Sequence, residues 1–453
     1  MLERQSMVAL HKIYRFGGAV DPIVLSSGVA RVVATIASPI TAVLIIRFLS
    51  LSEQGYWYTF LGLVTIVNYA ELGMGQVILQ FAAYEWGDFT NDAIASQNGS
   101  RLKSIFRITL LFACLTALVA VMIALTLGYV ILAGRGAGDL NIYWVGPWVF
   151  VALVAPLNIA LAFVNAFLEG CQMIVGSNLR RATQAIAQVI AVLVVFMMGG
   201  KLWALGAGQL ASLIAGGFWI ALTQGAFLRR MLADFSNNKQ VSWRDEIWPL
   251  QWRYAVGWAT GPLIYGLFNP LIFALIGSEA AGRFGFTFAL VGVVGGYAQV
   301  WSASRAAVFT KLNGAAKWCE LKTLFASSFR NSVVTYLAGA VLLLLGIRIV
   351  SAAVPSMSGR LLDIYSTVLL LAAGFTTLLI FSIMYFVRSF REEPFARMAW
   401  ISAILMSCLL PVGIMLFQTL GASGAYFVSQ LCVLPIAYHI YQDYRKRIPV
   451  GST

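Results

Sequence analysis

The sequence predicts an all-α protein that crosses a membrane many times. Three observations carry this: 60% of the 453 residues are hydrophobic, only 11% are charged, and the mean hydropathy is +0.82. Soluble domains hold about 25% charged residues, so this chain has too few charges to cover a water-facing surface. A soluble enzyme and a disordered chain are both excluded. The apolar residues also come in unbroken runs, such as 34–46 and 110–121. A barrel would alternate apolar with polar side chains, so the spanning elements are helices.

A spanning helix needs roughly 20 mainly apolar residues. Twelve segments qualify: 23–46, 57–80, 105–127, 143–167, 182–198, 203–224, 254–276, 284–304, 326–346, 364–387, 398–417 and 422–441. The first contains Arg31 and Pro39, and the second contains Asn68 and Glu71. The third opens on Ser104-Ile105-Phe106-Arg107, and the fourth carries Asn158 and Asn165. The seventh holds Asn269 and Pro270. The eighth is rich in Gly and Ala, carries Gln299, ends at Arg305 and is the least apolar of the set. The ninth opens on Ser327-Ser328-Phe329-Arg330. No cleaved leader is expected, because the first apolar run is too long for a signal core and lacks a cleavage site.

An even number of crossings puts both termini on one side. With that alternation, 24 of the 31 Lys and Arg fall on the side of the termini. Six fall on the other (Arg47, Arg135, Lys201, Arg283, Arg348 and Arg360), and Arg31 lies inside a span. Basic loops mark the cytoplasmic side, so both termini are expected there. The net charge of +13 is then a topology signal rather than a nucleic-acid footprint. The expected organisation is a cytoplasmic segment (1–22), a six-helix bundle (23–230), a cytoplasmic linker (231–253), a second six-helix bundle (254–441) and a basic tail (442–453). The longest outer loop, about 347–363, leaves no room for an external domain, which argues against a membrane enzyme with an external catalytic loop.

The halves share landmarks in the same order. Arg107 pairs with Arg330, Pro39 with Pro270, Glu53-Gln54-Gly55-Tyr56 with Glu279-Ala280-Ala281-Gly282, and Leu205-Gly206-Ala207-Gly208 with Leu420-Gly421-Ala422-Ser423-Gly424. Two like-oriented six-helix repeats imply a transporter with its site between the halves, around a central cavity.

The stretch Arg47–Trp57, with Glu53-Gln54-Gly55-Tyr56 at its centre, and Glu71-Leu72-Gly73-Met74-Gly75 followed by Ala82-Ala83 resemble the polysaccharide flippases of the multidrug/oligosaccharidyl-lipid/polysaccharide exporter superfamily. The resemblance is sharp over about 38–85 and loose over the rest; Glu71 stands where Asp is commoner. It implies a multi-pass protein of the bacterial inner membrane. Its cargo would be an O-antigen-type oligosaccharide on polyprenyl diphosphate, moved to the outer leaflet by alternating access. Partners would be that lipid-linked substrate and membrane lipids, with a polymerase and glycosyltransferases of the same pathway. No enzyme activity, cofactor or nucleic acid is implied, and H+ or Na+ coupling stays open.

The candidate site residues are the charges and amides inside or beside the spans. Arg31 lies about 12 Å deep at 1.5 Å per residue, and an Arg there must face a cavity or a partner. Glu71 is expected at matching depth. The two either lock the first helix to the second or serve an anionic diphosphate, with Glu71 setting charge or accepting a proton. Arg305, Arg107 and Arg330 either snorkel to the interface or ring the cytoplasmic mouth as guanidinium ligands for diphosphate. Asn68, Asn269 and Gln299 suit sugar hydroxyls, or helix–helix hydrogen bonds. Pro39 and Pro270 are expected to bend their helices. Tyr56-Trp57-Tyr58, Tyr143-Trp144, Trp148 and Trp203 read as an interfacial aromatic belt. Two histidines and five scattered cysteines give no metal or disulfide pattern, and no phosphate-loop motif for ATP occurs. The alternative reading is a cation-coupled multidrug antiporter, which would carry membrane carboxylates as its main charged feature.

Overall fold

The computed structural model describes residues 22–90, 95–134, 142–232, 241–353, 359–390 and 392–447. The N-terminal segment before Pro22, Arg135 and the end of the basic tail lie outside them. The described residues contain helices and no strand. In order these are α1 (Pro22–Phe48), α2 (Leu51–Asn68), α3 (Met74–Thr90), α4 (Ala95–Ala133), α5 (Val145–Gly170), α6 (Ile174–Met197) and α7 (Trp203–Leu232). The second half has α8 (Trp248–Trp258), α9 (Phe268–Leu275), α10 (Ser278–Ala303), α11 (Ala306–Gly314), α12 (Trp318–Ala353), α13 (Ile364–Arg388) and α14 (Ala396–Lys446). Nine of the described helices are long and apolar enough to cross a membrane, and α2 with α3 adds a tenth. The chain is a multi-pass membrane protein.

Three departures from straight rods decide where the site forms. The predicted second span is α2 and α3, set at 42° to one another. Between them Leu72 and Gly73 take positive φ values of 48° and 72°, a conformation that glycine adopts freely and leucine does not. The predicted seventh span is α8 and α9, separated by a wide turn at Pro262–Gly266, so the break precedes Pro270. Proline there lacks the N–H that would continue the ladder. By contrast α1 continues as one helix through Pro39. The 51 residues of α14 fold back on themselves at Gln418 (φ 53°, ψ −129°). A Cβ on Gly413 would lie 2.6 Å from the Gly421 carbonyl oxygen, and Ser402 meets Ser429 at 3.4 Å. That hairpin divides the helix between the predicted eleventh and twelfth segments.

In the first half α1 packs on α6, α6 on α7, α7 on α5, and α5 on both α3 and α4. In the second half α10, α12, α13 and α14 pack together. The helix ends bearing Arg101, Arg181, Arg230, Lys317 and Lys446 form one face, called here the basic face. The main hydrophobic core fills the first half, takes in the linker and α8 (Val241, Ile247, Leu250 and Tyr254), and reaches α10, α13 and α14 away from that face. A separate core around Phe309, Phe325, Phe386 and Tyr444 serves the basic end of the second half alone. The halves therefore merge at the opposite face and part towards the basic face.

Candidate functional site

The seal at the opposite face is built by the Glu53-Gln54-Gly55-Tyr56 stretch. Ser50 and Glu53 cap α2 reciprocally, the Glu53 N–H donating to Ser50 Oγ at 3.2 Å and the Ser50 N–H to Glu53 Oε2 at 2.8 Å. This is a capping box, and it fixes the start of α2 where α10 begins. Gln54 Nε2 then donates to the Gly282 carbonyl at 2.8 Å. Gly55 lies so close to α10 that a Cβ would fall 1.9 Å from the Ser278 carbonyl oxygen. Tyr56 packs edge-on against Phe273 of α9 at 4.8 Å. Arg360 Nη1 donates to the Leu49 carbonyl at 2.8 Å and to Gln54 Oε1 at 3.3 Å. The two stretches matched in sequence, at the starts of α2 and α10, thus meet face to face. Tyr56, Trp57, Tyr58 and Trp148 are buried in or beside this region, which corrects their reading as an interfacial belt. Tyr143 and Trp203 remain exposed. Asn269 is also here, buried on α9.

Arg31 is exposed on α1. Leu25, Val29, Val32, Ile36 and Val43 are exposed along one stripe of that helix. Arg31, Ala34 and Ser38 are exposed along another, roughly 155° away at 100° per residue. An aliphatic stripe suits lipid, and a guanidinium does not. The second stripe is the more polar of the two. Arg31 and Glu71 form no ion pair, so the interhelix lock considered from sequence is not formed.

Glu71 sits at the α2–α3 break, half-buried. It lines a cavity of about 310 Å³ with Asn68, Tyr69, Asn158, Gln209 and Trp258. Asn158 Nδ2 donates to the Gln209 carbonyl at 3.1 Å, and Trp258 stands over Tyr69 at 5.8 Å between rings. α8 lies across the break: Gln251 Nε2 donates to the Leu72 carbonyl at 3.2 Å, and Gln80 Nε2 to Tyr254 Oη at 2.8 Å. A carbonyl freed from its helix must find a partner away from water, and Gln251 supplies it. One carboxylate, four amide or phenol groups and an indole make a site for a small cation or for a proton on Glu71.

The other predicted residues lie elsewhere. Arg305 occupies the joint between α10 and α11, donating to Ser327 Oγ at 3.1 Å and Ser328 Oγ at 3.0 Å, above the Trp301 ring. Arg330 is exposed near the start of α12, Arg107 is half-buried on α4, and Gln299 is half-buried on α10. None of these four reaches the Glu71 cavity.

A second polar group was not predicted. Glu169, Arg180 and Arg181 fell between predicted spans, yet they are integral to α5 and α6. Asn165 Nδ2 donates to Glu169 Oε1 at 2.6 Å, and Arg181 Nη2 donates to the same oxygen at 2.5 Å. Arg180, 5% exposed, donates from Nε to Asn165 Oδ1 at 2.8 Å and from Nη1 to Gln184 Oε1 at 2.5 Å. Asn178 Nδ2 reaches Ser26 Oγ of α1 at 3.2 Å. The helical spacing of Asn158, Asn165 and Glu169 was the available signal, since i, i+7, i+11 share one face.

No family model and no curated protein sequence matches this chain. Solved structures do match in fold. One is the inward-facing conformation of a multidrug resistance MATE family transporter of the MOP superfamily. It has a TM-score of 0.65 at 11% identity, over 93% of this chain and 98% of the other. Another is the MATE multidrug transporter DinF-BH, at 0.61 and 13%, over 94% of each chain. A third is a MOP superfamily transporter from Pyrococcus furiosus, described by the reverse polarity of its binding pocket. Its TM-score is 0.56 at 13% identity, over 94% of this chain and 95% of that one.

Proposed function

We propose that this chain, which has the fold of the MATE transporters of the MOP superfamily, is an alternating-access exporter of an anionic amphiphile. The cargo proposed is an oligosaccharide linked to polyprenyl diphosphate, carried from the cytoplasmic to the outer leaflet of a bacterial inner membrane for surface polysaccharide synthesis. In this reading the chain crosses twelve times, the basic face is cytoplasmic, and the cleft is open inward. A polymerase and glycosyltransferases would act on either side of the step.

The observation that carries the reading is Arg31, a guanidinium exposed on the polar stripe of α1 and free of any ion pair with Glu71; we take that stripe to front the cleft. Such a group recognises diphosphate through paired N–H donors. Glu71, in its own cavity nearby, is the proposed carrier of the coupling H+ or Na+, and Arg107, Arg305 and Arg330 are proposed to form the approach.

A second reading, a cation-coupled drug antiporter, is favoured by one observation: the Glu71 cavity has aromatic walls from Tyr69 and Trp258, which suit an organic cation. One pair of variants separates the two. In a strain lacking its own flippase, Arg31→Ala and Glu71→Ala chains should insert normally and fail to restore surface glycan. Full restoration by both variants would sink the flippase reading. In a drug-sensitive strain, tolerance to a cationic dye that is lost in Glu71→Gln but kept in Arg31→Ala would establish the antiporter instead.

A further inference from the structure

A polar seam runs through the first half from the Glu71 cavity to the basic face. Asn158 and Gln209 line the cavity. One turn along α7, the Ser212 carbonyl accepts from Gln184 Nε2 at 3.1 Å. The other end of that amide, Gln184 Oε1, takes the Arg180 guanidinium at 2.5 Å. Two turns beyond Asn158 on α5, about 10 Å, Asn165 accepts from Arg180 and donates to Glu169. Glu169 meets Arg181, which is exposed. Amides, a backbone carbonyl, a guanidinium and a carboxylate are thus spaced from the Glu71 cavity to the surface within the first half.

Such a seam is a hazard for alternating access. If Glu71 could exchange cations with the basic face through its own half, it would do so whichever way the cleft faced, and the coupling gradient would drain. Arg180 interrupts the seam where it is buried. Its acceptors on Asn165 and Gln184 are neutral amide oxygens, and the nearby carboxylate, Glu169, is engaged by Arg181 and Asn165. The guanidinium charge therefore stays uncompensated by a direct ion pair in a buried site. A fixed positive charge in a narrow polar path repels protons and metal cations.

We propose that Arg180 is an electrostatic plug that insulates the Glu71 cavity from the basic face. The proposal rests on the alternating-access reading with Glu71 as ion carrier. It makes Arg180 a specificity residue that touches neither cargo nor coupling ion.

The test uses the full chain in liposomes holding a pH-sensitive dye, with the membrane potential clamped and acid added outside. Wild type and Arg180→Lys should be tight. Arg180→Gln should admit protons at least about tenfold faster, and Arg180→Gln with Glu71→Gln should be tight again. An Arg180→Gln chain of unchanged yield and Tm that is as tight as wild type overturns the proposal. Arg180→His guards against misfolding, because one protein is read in two charge states. It should leak at about pH 8 and close at about pH 5, on either side of the ordinary histidine value near 6.5, with Glu169 and Arg181 as its charged neighbours. Equal leak at both pH values also overturns the plug. No cargo is present in the assay, so failure of the glycan restoration test leaves this result independent.

Discussion

The two faces of the molecule hold their parts together in different ways. At the opposite face the halves are joined without an ion pair between them: Gln54 donates to the Gly282 carbonyl, Arg360 to the Leu49 carbonyl, and Gly55 is in backbone contact with Ser278. At the basic face the bonds are ionic, and each described pair stays within one half or ties the linker to the first half. Arg101 bridges Glu85 at 2.8 Å and Glu246 at 2.6 Å, Arg388 meets Glu393 at 2.7 Å, and Arg447 meets Glu392 at 2.8 Å. The difference follows from water. The Arg388 and Arg447 pairs are exposed, and exposed ion pairs are hydrated and screened, so they add about 0–1 kcal/mol each and suit edges that must stay wet. A close seal of small residues and amides excludes water, and its hydrogen bonds then have no solvent competitor. In the proposed cycle the seal sets which way the cleft faces, and the ionic face keeps each half intact.

The sharpest way to break that contrast is one methyl group. Gly55→Ala places a Cβ where only backbone fits, and the neighbouring carbonyl cannot rotate away as a side chain could. Overpacking of this kind costs about 1–3 kcal/mol, here charged to the sealed state alone. With a cysteine reporter at Phe273, 1% exposed, in a chain lacking its native cysteines, Gly55→Ala should raise maleimide labelling from the opposite face by about tenfold or more. Unchanged labelling would mean that the seal is not where the halves part. Arg360→Ala comes next. It removes two hydrogen bonds across the seal, one to a carbonyl, for about 1–2 kcal/mol, and should raise labelling by less than Gly55→Ala does. Lysine at that position should recover only part, since one ammonium does not reproduce the guanidinium fork.

Hydropathy made most of this fold legible, because bilayer thickness sets helix length and apolar runs report it directly. Even the turn in α14 was visible, since Gln418 and Thr419 interrupt the run between 398–417 and 422–441. The breaks were less legible. Leu72 in the left-handed region gives no composition signal, and only the following Gly73 marks the joint. Pro270 is the conspicuous residue of the seventh span, while the wide turn sits at Pro262–Gly266. The site divides in the same way. Arg31 and Glu71 stood out as charges within apolar runs, and the Glu53–Tyr56 motif as a pattern whose structural use is the seal. Glu169, Arg180 and Arg181 were lost for a physical reason. Adjacent charges lower the local hydropathy and look like a loop, yet Asn165, Gln184 and each other's hydrogen bonds offset the cost of burying them. Arithmetic on single residues cannot register that partnership.

The smallest expected effect sits on the ionic face, where Glu246 allows the sign to be worked out. Burial opposes its charge, but Arg101 and the Ser242 backbone N–H outweigh that, and the carboxyl is held below its ordinary value of 4.5. A depressed folded-state pKa contributes stability that is fully present above the unfolded value. That stability is lost as pH falls through the folded pKa, so the linker should loosen below pH 4.5 and be indifferent above it. The Ser242 N–H donates to Glu246 Oε1 at 3.0 Å and the Val241 N–H to Ser104 Oγ at 3.1 Å, so amide exchange at these two positions reads the clasp. After correction for intrinsic rates, acidification should raise exchange by only about twofold to threefold, as befits a partly exposed pair. Glu246→Gln should exchange at the faster rate at every pH, and added salt should mimic part of the loss. No ion pair crosses the seal, and its one carboxylate, Glu53, pairs with Lys201 inside the first half, so the Phe273→Cys reporter should lose less protection than the clasp over the same range. A seal that loosened in step with the clasp would mean that the two faces are mechanically one, and the contrast between them would be lost.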